Sequence, residues 1–282
     1  MKNKILLFAS LLLIFASCSK KDEPIVVLST TTPPTSTVGD DIVTTYVSLV
    51  APHSWNYSTE TIVSPNTVGS NGTADLTVGS NFVDSGFTYN TMTTPNSTAS
   101  GFYCNQLKDN HLRVDGSSVK MTGRFKFKIG TNTIYFPVTD LVIFKENAMS
   151  GAFISITEPN STSFLVSTFN VRVNYTVQVQ AGDYYTNKTV NNIVYPDVKK
   201  MKLIITMDAN TVLPSPLNLT ELLEPRSQNV IISEQYYAKN VGVIEAFTKV
   251  RFNLNPVIST VAPTVPASGL QTITDKLVTK NF

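Results

Sequence analysis

Apolar and polar residues alternate along much of the chain, most clearly between residues 119 and 129. The apolar positions of this segment are Val119, Met121, Phe125, Phe127 and Ile129. A period of two places these side chains on one face of a β-strand and the intervening polar side chains on the other. The following Gly130-Thr131-Asn132 favours a turn. We therefore predict a strand with one buried face, followed by a reversal of the chain.

A second alternating segment runs from Leu165 to Val179. Its apolar face consists of Leu165, Phe169, Val171, Val173, Tyr175, Val177 and Val179. At about 3.3 Å per residue, a strand of this length would extend for about 50 Å, which is longer than usual. We expect either a bulge that interrupts the strand or a long, curved sheet.

The C-terminal third of the chain favours a hairpin. The alternation continues at Met201, Leu203, Ile205 and Met207. Further on, Val230–Tyr237 and Val243–Leu254 are joined by the turn sequence Lys239-Asn240-Val241-Gly242. The buried face of the returning strand is predicted to contain Ile244, Ala246, Val250, Phe252 and Leu254. We expect a positive φ at Gly242, which a side chain would resist.

Helical patterns are scarce. Leu217–Glu224 has helical spacing and Pro225 closes it, whereas Asn255–Gly269 suggests a long loop before a final strand, Leu270–Phe282. Strands without helical crossovers are typical of antiparallel connections. We predict an all-β domain over residues 42–282, whose long apolar strand faces must be covered. A single, strongly curved antiparallel sheet that is half-barrel-like would cover them, and the resemblance described below favours this form. A two-sheet β-sandwich is the alternative.

The first 18 residues have the layout of a secretory leader. Two lysines precede the apolar stretch Ile5–Ala16, which is too short to span about 30 Å of hydrocarbon at about 1.5 Å per residue. The stretch ends in Phe15-Ala16-Ser17-Cys18, which resembles the lipobox of bacterial lipoproteins. The resemblance implies that residues 1–17 are a signal peptide and that Cys18 is the lipid attachment site. Two or more acyl chains would anchor the protein stably.

Residues 18–41 follow the lipobox and are rich in Ser, Thr and Pro, which predicts an extended tether. Ser19 and the charged Lys21-Asp22-Glu23 resemble sorting signals of Bacteroidota lipoproteins. This resemblance implies a location in the bacterial outer membrane, with exposure at the cell surface as one possibility. The sequence leaves open which leaflet holds the anchor.

The charge balance excludes one class of partner. The 282 residues include 22 Lys and Arg against 20 Asp and Glu. Lys2 and Lys4 lie in the leader, so a chain that begins at Cys18 would be neutral. Nucleic-acid binding requires a basic excess or stripe, and we do not expect it. Two histidines and two cysteines are too few for a recognisable zinc site, so no metal or cofactor is predicted.

The candidate catalytic residues lack a recognisable context. His53 follows Pro52, His111 lies in a polar stretch, and no G-x-S-x-G motif occurs, so we interpret both histidines as surface residues. Glu234 and Glu245 lie on the two arms of the predicted hairpin and could form the carboxylate pair of a glycosidase. We favour solvated positions for both.

Two further features have simple structural interpretations. In their solvated positions, the two glutamates are expected to pair across strands with Lys249 or Arg251. Cys104 has no disulfide partner once Cys18 is acylated, and it is expected to be a small buried apolar residue. A row of basic residues should share the exposed face of the strand near residue 120: Lys120, Arg124, Lys126 and Lys128. Such a row could contact anionic lipid or glycan, but we favour a solvated face that prevents aggregation between sheet edges.

Three segments resemble those of uncharacterised Bacteroidota lipoproteins. They are Tyr46-x-x-Leu49 with Trp55-Asn56-Tyr57, the stretch Asn192–Val198, and the stretch Tyr236–Ile244. The resemblance implies a strongly curved antiparallel sheet, a half-barrel similar to that of periplasmic lipoprotein carriers. It implies no known activity.

Three functional hypotheses follow. The favoured one is a non-enzymatic, membrane-anchored binding or carrier protein with an unknown ligand, which could be an apolar molecule held by the concave face. The second is a surface glycan-binding lipoprotein of a polysaccharide-uptake system, with Trp55 and Tyr57 stacking on sugar rings. A glycoside hydrolase is the third. The sequence leaves the oligomeric state open.

Overall fold

A computed structural model describes residues 44–64, 68–94, 100–108, 110–166, 169–211, 221–261 and 265–282. The predicted signal peptide, Cys18 and the tether lie outside these residues. Strands account for 74% of the structure and helices for 4%. The prediction of an all-β fold is therefore confirmed.

The described residues form thirteen strands in one sheet. The strands are β1 (Ser54–Ser64), β2 (Val68–Asp84), β3 (Phe87–Thr93), β4 (His111–Asp115), β5 (Ser118–Ile129), β6 (Asn132–Lys145), β7 (Phe153–Ile156), β8 (Asn160–Val166), β9 (Phe169–Val190), β10 (Ile193–Thr211), β11 (Ser227–Ala238), β12 (Gly242–Asn253) and β13 (Ser268–Asn281). Two short helices accompany them, α1 (Tyr103–Leu107) and α2 (Pro256–Val261).

The sheet is antiparallel throughout and its strand order is simple. The order is β6-β5-β4-β3-β2-β1-β13-β12-β11-β10-β9-β7, and β8 also pairs with β9. Most neighbours in the sheet are neighbours in the chain, as in hairpins. The exceptions are β7, which pairs with β9, and the pair β1 and β13, which joins the two halves of the sheet along eleven residue pairs.

The two ends of the sheet come together across its apolar face. The Tyr175 hydroxyl of β9 donates a hydrogen bond of 2.9 Å to the Pro137 carbonyl of β6. The Val142 amide of β6 donates one of 3.3 Å to the Ser155 hydroxyl of β7. The ring of Phe136 also lies 4.9 Å from that of Tyr175. The sheet therefore covers its own apolar face, which in water would otherwise be an aggregation surface.

Several sequence-based predictions are confirmed in detail. The strand between residues 119 and 129 is β5, and its apolar residues are buried. The predicted hairpin is formed by β11 and β12, and the final strand is β13. Gly242 has a φ of 100°, and a Cβ atom there would lie 3.0 Å from Trp55 Nε1. The close approach of the indole is a second reason for glycine at this turn.

The long strand predicted from Leu165 to Val179 is wrong in one respect. It is two strands: β8 ends at Val166, β9 begins at Phe169, and these two residues pair with each other. Leu165 consequently leaves the apolar face and is 62% exposed. The sequence at this reversal has no Gly, Pro or Asn-Gly signal. The alternation of apolar and polar residues therefore resembles that of a single strand.

The helix predicted at Leu217–Glu224 is not found where the structure describes that segment. Residues 212–220 lie outside the described ranges, and the rest is extended: Glu221 bridges Asn210 and Leu223 bridges Leu254. Consecutive Leu222 and Leu223 are both buried, which produces an apolar spacing that resembles a helix. Neither α1 nor α2 was predicted, and α2 lies inside the predicted loop.

A partly buried ion-pair network supports the β4–β6 region. Arg113 donates two hydrogen bonds to Asp140, from Nε at 3.0 Å and from Nη2 at 2.7 Å, and the Tyr89 hydroxyl donates to the same carboxylate at 2.7 Å. These hydrogen bonds lower the pKa of Asp140 to about 2. A carboxyl with a lowered pKa stabilises the fold above its ordinary pKa, and that stability is lost as the pH falls towards 2.

We expect Asp140→Asn to lower the free energy of unfolding by about 1–3 kcal/mol at pH 7, because nearly buried Arg113 loses its bidentate partner. Urea denaturation measures the difference. Asp115→Asn is the control, since Asp115 is half-exposed and contacts Arg113 from 3.3 Å; its cost should stay below about 1 kcal/mol. Equal costs for both variants would contradict the role assigned to Asp140.

Candidate functional site

The two histidines are not simple surface residues, which corrects that interpretation. His53 is half-buried, its Nδ1 lies 2.8 Å from the Ser48 hydroxyl, and its ring stacks on Phe282 at 4.5 Å. His111 is also half-buried and stacks on Phe82 at 4.7 Å. Both aromatic partners are distant in sequence, so local polarity was misleading. Within the described ranges neither histidine forms an ion pair with a carboxylate, so no Ser-His-acid triad is assembled there.

Cys104 lies where it was predicted. Its side chain is fully buried in α1, and it is the free cysteine of the described residues. Burial raises the pKa of its thiol well above the ordinary value. A neutral buried thiol is a poor nucleophile, so Cys104 acts as a small apolar residue.

Glu234 and Glu245 are paired, but with partners that differ from those predicted. Glu234 lies 2.9 Å from the ammonium group of Lys200, and Glu245 lies 2.7 Å from that of Lys188. The predicted partners Lys249 and Arg251 are wrong, because Glu234 pairs with a lysine of the neighbouring β10 and Glu245 with a lysine of β9, which is not adjacent to β12. Tyr236 lies between the pairs, with Lys188 Nζ 3.9 Å from its ring centroid. Each carboxylate is therefore neutralised by a lysine.

The basic row of β5 lies on the outward face, as predicted. Arg124 and Lys128 are exposed, and Lys120 and Lys126 are half-buried. Lys120 forms an ion pair of 2.6 Å with Asp115, and the Arg124 guanidinium lies 4.3 Å from the Tyr135 ring centroid. Neighbouring side chains thus occupy part of this row, which favours a solvated face.

Trp55 and Tyr57 are unavailable as sugar platforms. They are 5% and 1% exposed. Trp55 Nε1 donates a hydrogen bond to the Val241 carbonyl at 2.6 Å, and the Tyr57 hydroxyl donates to the Val243 carbonyl at 2.8 Å. Because β1 lies in the middle of the sheet, its aromatic residues belong to the core and fasten the β11–β12 turn.

An open groove lies beside the segment where the described chain begins. Its volume is about 570 Å³. It is lined by Thr44, Thr45, Val47, Ser48, Leu49, Val50, Thr88, Asn90, Val114, Asn240, Val241 and Phe282. Residues of five separate regions form this lining, so it could not be recognised from sequence spacing. Hydroxyl and amide groups alternate with apolar side chains, and no lining side chain is charged.

The segment that forms one wall of this groove is held by its backbone. The Thr44 amide donates to the Gly116 carbonyl at 3.1 Å, and the Thr45 amide donates to the Glu146 carboxylate at 3.2 Å. The Asn240 amide donates to the Thr45 carbonyl at 2.8 Å. These contacts join the wall to three different turns, so the groove is largely preformed.

A buried carboxyl group is the most unusual chemical feature of the interior. Asp275 of β13 is fully buried, and burial raises its pKa to about 7. Its Oδ2 atom accepts hydrogen bonds from the amides of Phe102 at 3.3 Å and Tyr103 at 3.1 Å, whereas Oδ1 has no partner. Sequence reasoning missed it, although Asp275 alternates with buried Ile273 and Leu277 and so lies on an apolar face.

Gly101 lies directly against this carboxyl. Its φ is 76°, and a Cβ atom there would be 1.7 Å from Asp275 Oδ1. We expect Gly101→Ala to destabilise the protein by about 3 kcal/mol, which combines backbone strain with an overpacked interior. Gly116→Ala is the control, since Gly116 also has a positive φ but open space around it; about 1 kcal/mol is expected there. Thermal or urea unfolding would distinguish the variants, and similar losses would contradict the close contact.

Comparisons with known proteins yield little. No known protein-family model matches the chain, and no curated protein matches it. The chain is similar to a crystal structure described as that of a "putative lipoprotein" from Parabacteroides distasonis. The identity is 11% and the TM-score 0.32, with 84% of this chain and 99% of that chain covered. In the described residues, no helix is both long and apolar enough to cross a membrane.

Proposed function

We propose that this chain is a non-enzymatic lipoprotein of the bacterial outer membrane, anchored through acylated Cys18, whose folded domain binds a small ligand. The anchor is supported by the leader and by its ending in Phe15-Ala16-Ser17-Cys18. The half-barrel form of the sheet is supported by its continuous strand order. The absence of catalysis is supported by Glu234 and Glu245, each of which is paired with a lysine.

The open groove carries the binding proposal. Its volume of about 570 Å³ lies in the range of about 300–1,000 Å³ that is typical of small-molecule sites. By contrast, the cavity beneath α1 has a volume of only about 20 Å³, which is room for about one water molecule. The ligand is therefore assigned to the groove rather than to the closed space beneath α1. The uncharged lining favours a neutral ligand.

A glycan-binding lipoprotein is the second candidate, and the lining of the groove favours it. Thr88, Asn90 and Asn240 offer hydroxyl and amide groups beside the apolar Val50 and Phe282. Such a mixture suits a neutral sugar, which has hydroxyl groups on its rim and C–H groups on its faces. This candidate no longer depends on Trp55 or Tyr57.

The anchor is tested by Cys18→Ala. We expect this variant to leave the membrane fraction, because acyl chains are the proposed attachment and each buried methylene contributes about 0.8 kcal/mol. Fractionation with a carbonate wash measures the change. Cys104→Ala is the matched control and should remain with the membrane. Retention of Cys18→Ala after the wash would show a different attachment.

The groove is tested with two exposed valines. Val50 is 60% exposed and lines the groove, whereas Val83 is 68% exposed and lies on β2 outside its lining. Titration calorimetry with maltohexaose, cellohexaose, xylohexaose and monoolein would compare neutral sugars with a neutral apolar ligand. We expect Val50→Arg to weaken binding at least tenfold and Val83→Arg to leave it unchanged.

The outcomes separate the candidates. Sugar binding that Val50→Arg abolishes would support the glycan candidate, and monoolein binding with the same sensitivity would support an apolar ligand. Equal binding by both valine variants would contradict the groove as the site. No binding of any of these four probes at millimolar concentration would contradict both ligand classes.

A further inference from the structure

Helix α1 closes the apolar space between the two halves of the sheet. The side chains of Cys104 and Leu107 in α1, and of Phe102 just before it, are buried against the sheet. The small cavity under α1 is lined on the helix side by Phe102, Tyr103, Gln106 and Leu107 and on the sheet side by Met121, Phe125, Ile143, Val179, Met201, Leu203 and Gln235. The surface that α1 covers is therefore almost entirely apolar.

The C-terminal side of α1 is attached by uncharged groups. Gln106 receives a hydrogen bond from the Lys126 amide at 2.8 Å and donates one to the Lys126 carbonyl at 3.1 Å. Asn110 makes the same pair of contacts with Arg124, at 2.7 Å and 3.1 Å. The two amide side chains thus replace a missing strand neighbour of β5. None of these bonding groups titrates at ordinary pH.

The N-terminal side of α1 is attached through a titratable group, because the carboxyl of Asp275 accepts hydrogen bonds from the Phe102 and Tyr103 amides. Just before the helix, the Ser100 hydroxyl also donates to the Thr73 carbonyl. The titratable groups that share its environment are Tyr57 of β1, Tyr103 and Cys104 of α1, Tyr237 of β11, and Asp75 of β2, which acts on the same thiol. All of them are neutral or acidic. Among the described residues, no Lys, Arg or His forms an ion pair with Asp275.

An ionised carboxylate is therefore unfavourable in this closed arrangement. It would be buried without a counter-charge, its Oδ1 atom has no hydrogen-bond donor, and Gly101 packs directly against that atom. If α1 moves away, the same carboxylate gains water. We propose that α1 is a proton-controlled latch, which stays docked while Asp275 carries its proton and opens the apolar space beneath it when the proton is lost.

The direction of the effect follows from linkage. Asp275 has a pKa of about 7 in the docked state, against an ordinary value of 3.8 once exposed. The docked state binds the proton more tightly, so the open fraction rises by about tenfold per pH unit between these two values. Above pH 7 both states are ionised and the open fraction levels off. An apolar chain could then enter between α1 and the sheet, independently of the proposed groove.

Cys104 reports the opening, because its buried thiol reacts only when α1 moves. The full-length protein is treated with 4,4′-dithiodipyridine, which reacts with thiols at acidic and neutral pH, and the modified Cys104 peptide is quantified by mass spectrometry. Asp275→Asn is the matched variant, since it keeps the shape of the side chain and cannot ionise. Dividing the two rates removes the titration of the thiol itself.

We expect the rate of Cys104 modification in the unmodified protein, divided by the rate in Asp275→Asn, to rise about 100-fold from pH 4.5 to pH 7 and then to level off. A ratio that does not change with pH would overturn the latch. If Asp275→Asn does not fold, hydrogen exchange of the Gln106 and Lys108 amides is measured in the unmodified protein, relative to the β9–β10 amides. A constant relative rate across the same pH range would also overturn it.

Discussion

The free energy of unfolding should fall by up to about 4 kcal/mol between pH 4 and pH 7, and Asp275→Asn should remove this loss. Asp275 is fully buried, and its pKa is raised from 3.8 to about 7. A raised carboxyl pKa means that the folded state holds a proton which the unfolded state has released, so stability decreases as the pH rises through this window. At about 1.4 kcal/mol per pKa unit the shift corresponds to the stated loss.

Urea denaturation at several pH values measures this dependence. Glu60→Gln is the control, because Glu60 lies exposed on β1 and its removal should leave the slope between pH 4 and pH 7 unchanged. Below pH 4 the lowered pKa of Asp140 acts in the opposite direction, so the unmodified protein should be most stable near pH 4–5. A flat profile in the unmodified protein would show that Asp275 is not buried in solution.

We expect Phe136→Ala to lower the free energy of unfolding by about 3–5 kcal/mol. Phe136 of β6 is fully buried and contacts Phe127 at 6.2 Å and Tyr175 at 4.9 Å between ring centroids. Its removal would leave a cavity where the two ends of the sheet meet. Urea denaturation of the purified protein and of the variant measures this loss of stability.

Phe153→Ala is the matched control for that truncation. Phe153 lies on the short strand β7 and is mostly exposed, so its replacement should change stability by no more than about 0.5 kcal/mol. The contrast depends on the sheet covering its own apolar face. Similar losses at both positions would show that β6 and β9 are not packed against each other in solution.

The local pattern of the sequence was sufficient to predict the strands with one wet face. β5 and the β11–β12 hairpin were predicted from their alternation, because a strand places successive side chains on opposite faces whatever its neighbours are. The positive φ of Gly242 followed from turn chemistry alone. The burial of Cys104 followed from the apolar residues beside it.

Alternation could not predict where the chain reverses without a turn signal, or which strands are adjacent. β8 and β9 have the pattern of a single strand, and their division is visible only in the pairing of Val166 with Phe169. The lysine partners of Glu234 and Glu245 depend on the arrangement of the strands in the sheet. Contacts between distant segments of the chain determine that arrangement.

The candidate sites show the same division. The sequence by itself determined the prediction of a lipid anchor at Cys18, because that signal is a short contiguous motif, and it determined the all-β class, because period-two alternation is local. Only the tertiary structure decided that Trp55 and Tyr57 are core residues, that Asp275 is buried against α1, and that an uncharged groove is available. Each of these depends on β13 returning to pair with β1 or on the two ends of the sheet meeting. Such long-range packing determines burial, and burial in turn determines which polar groups are available for chemistry.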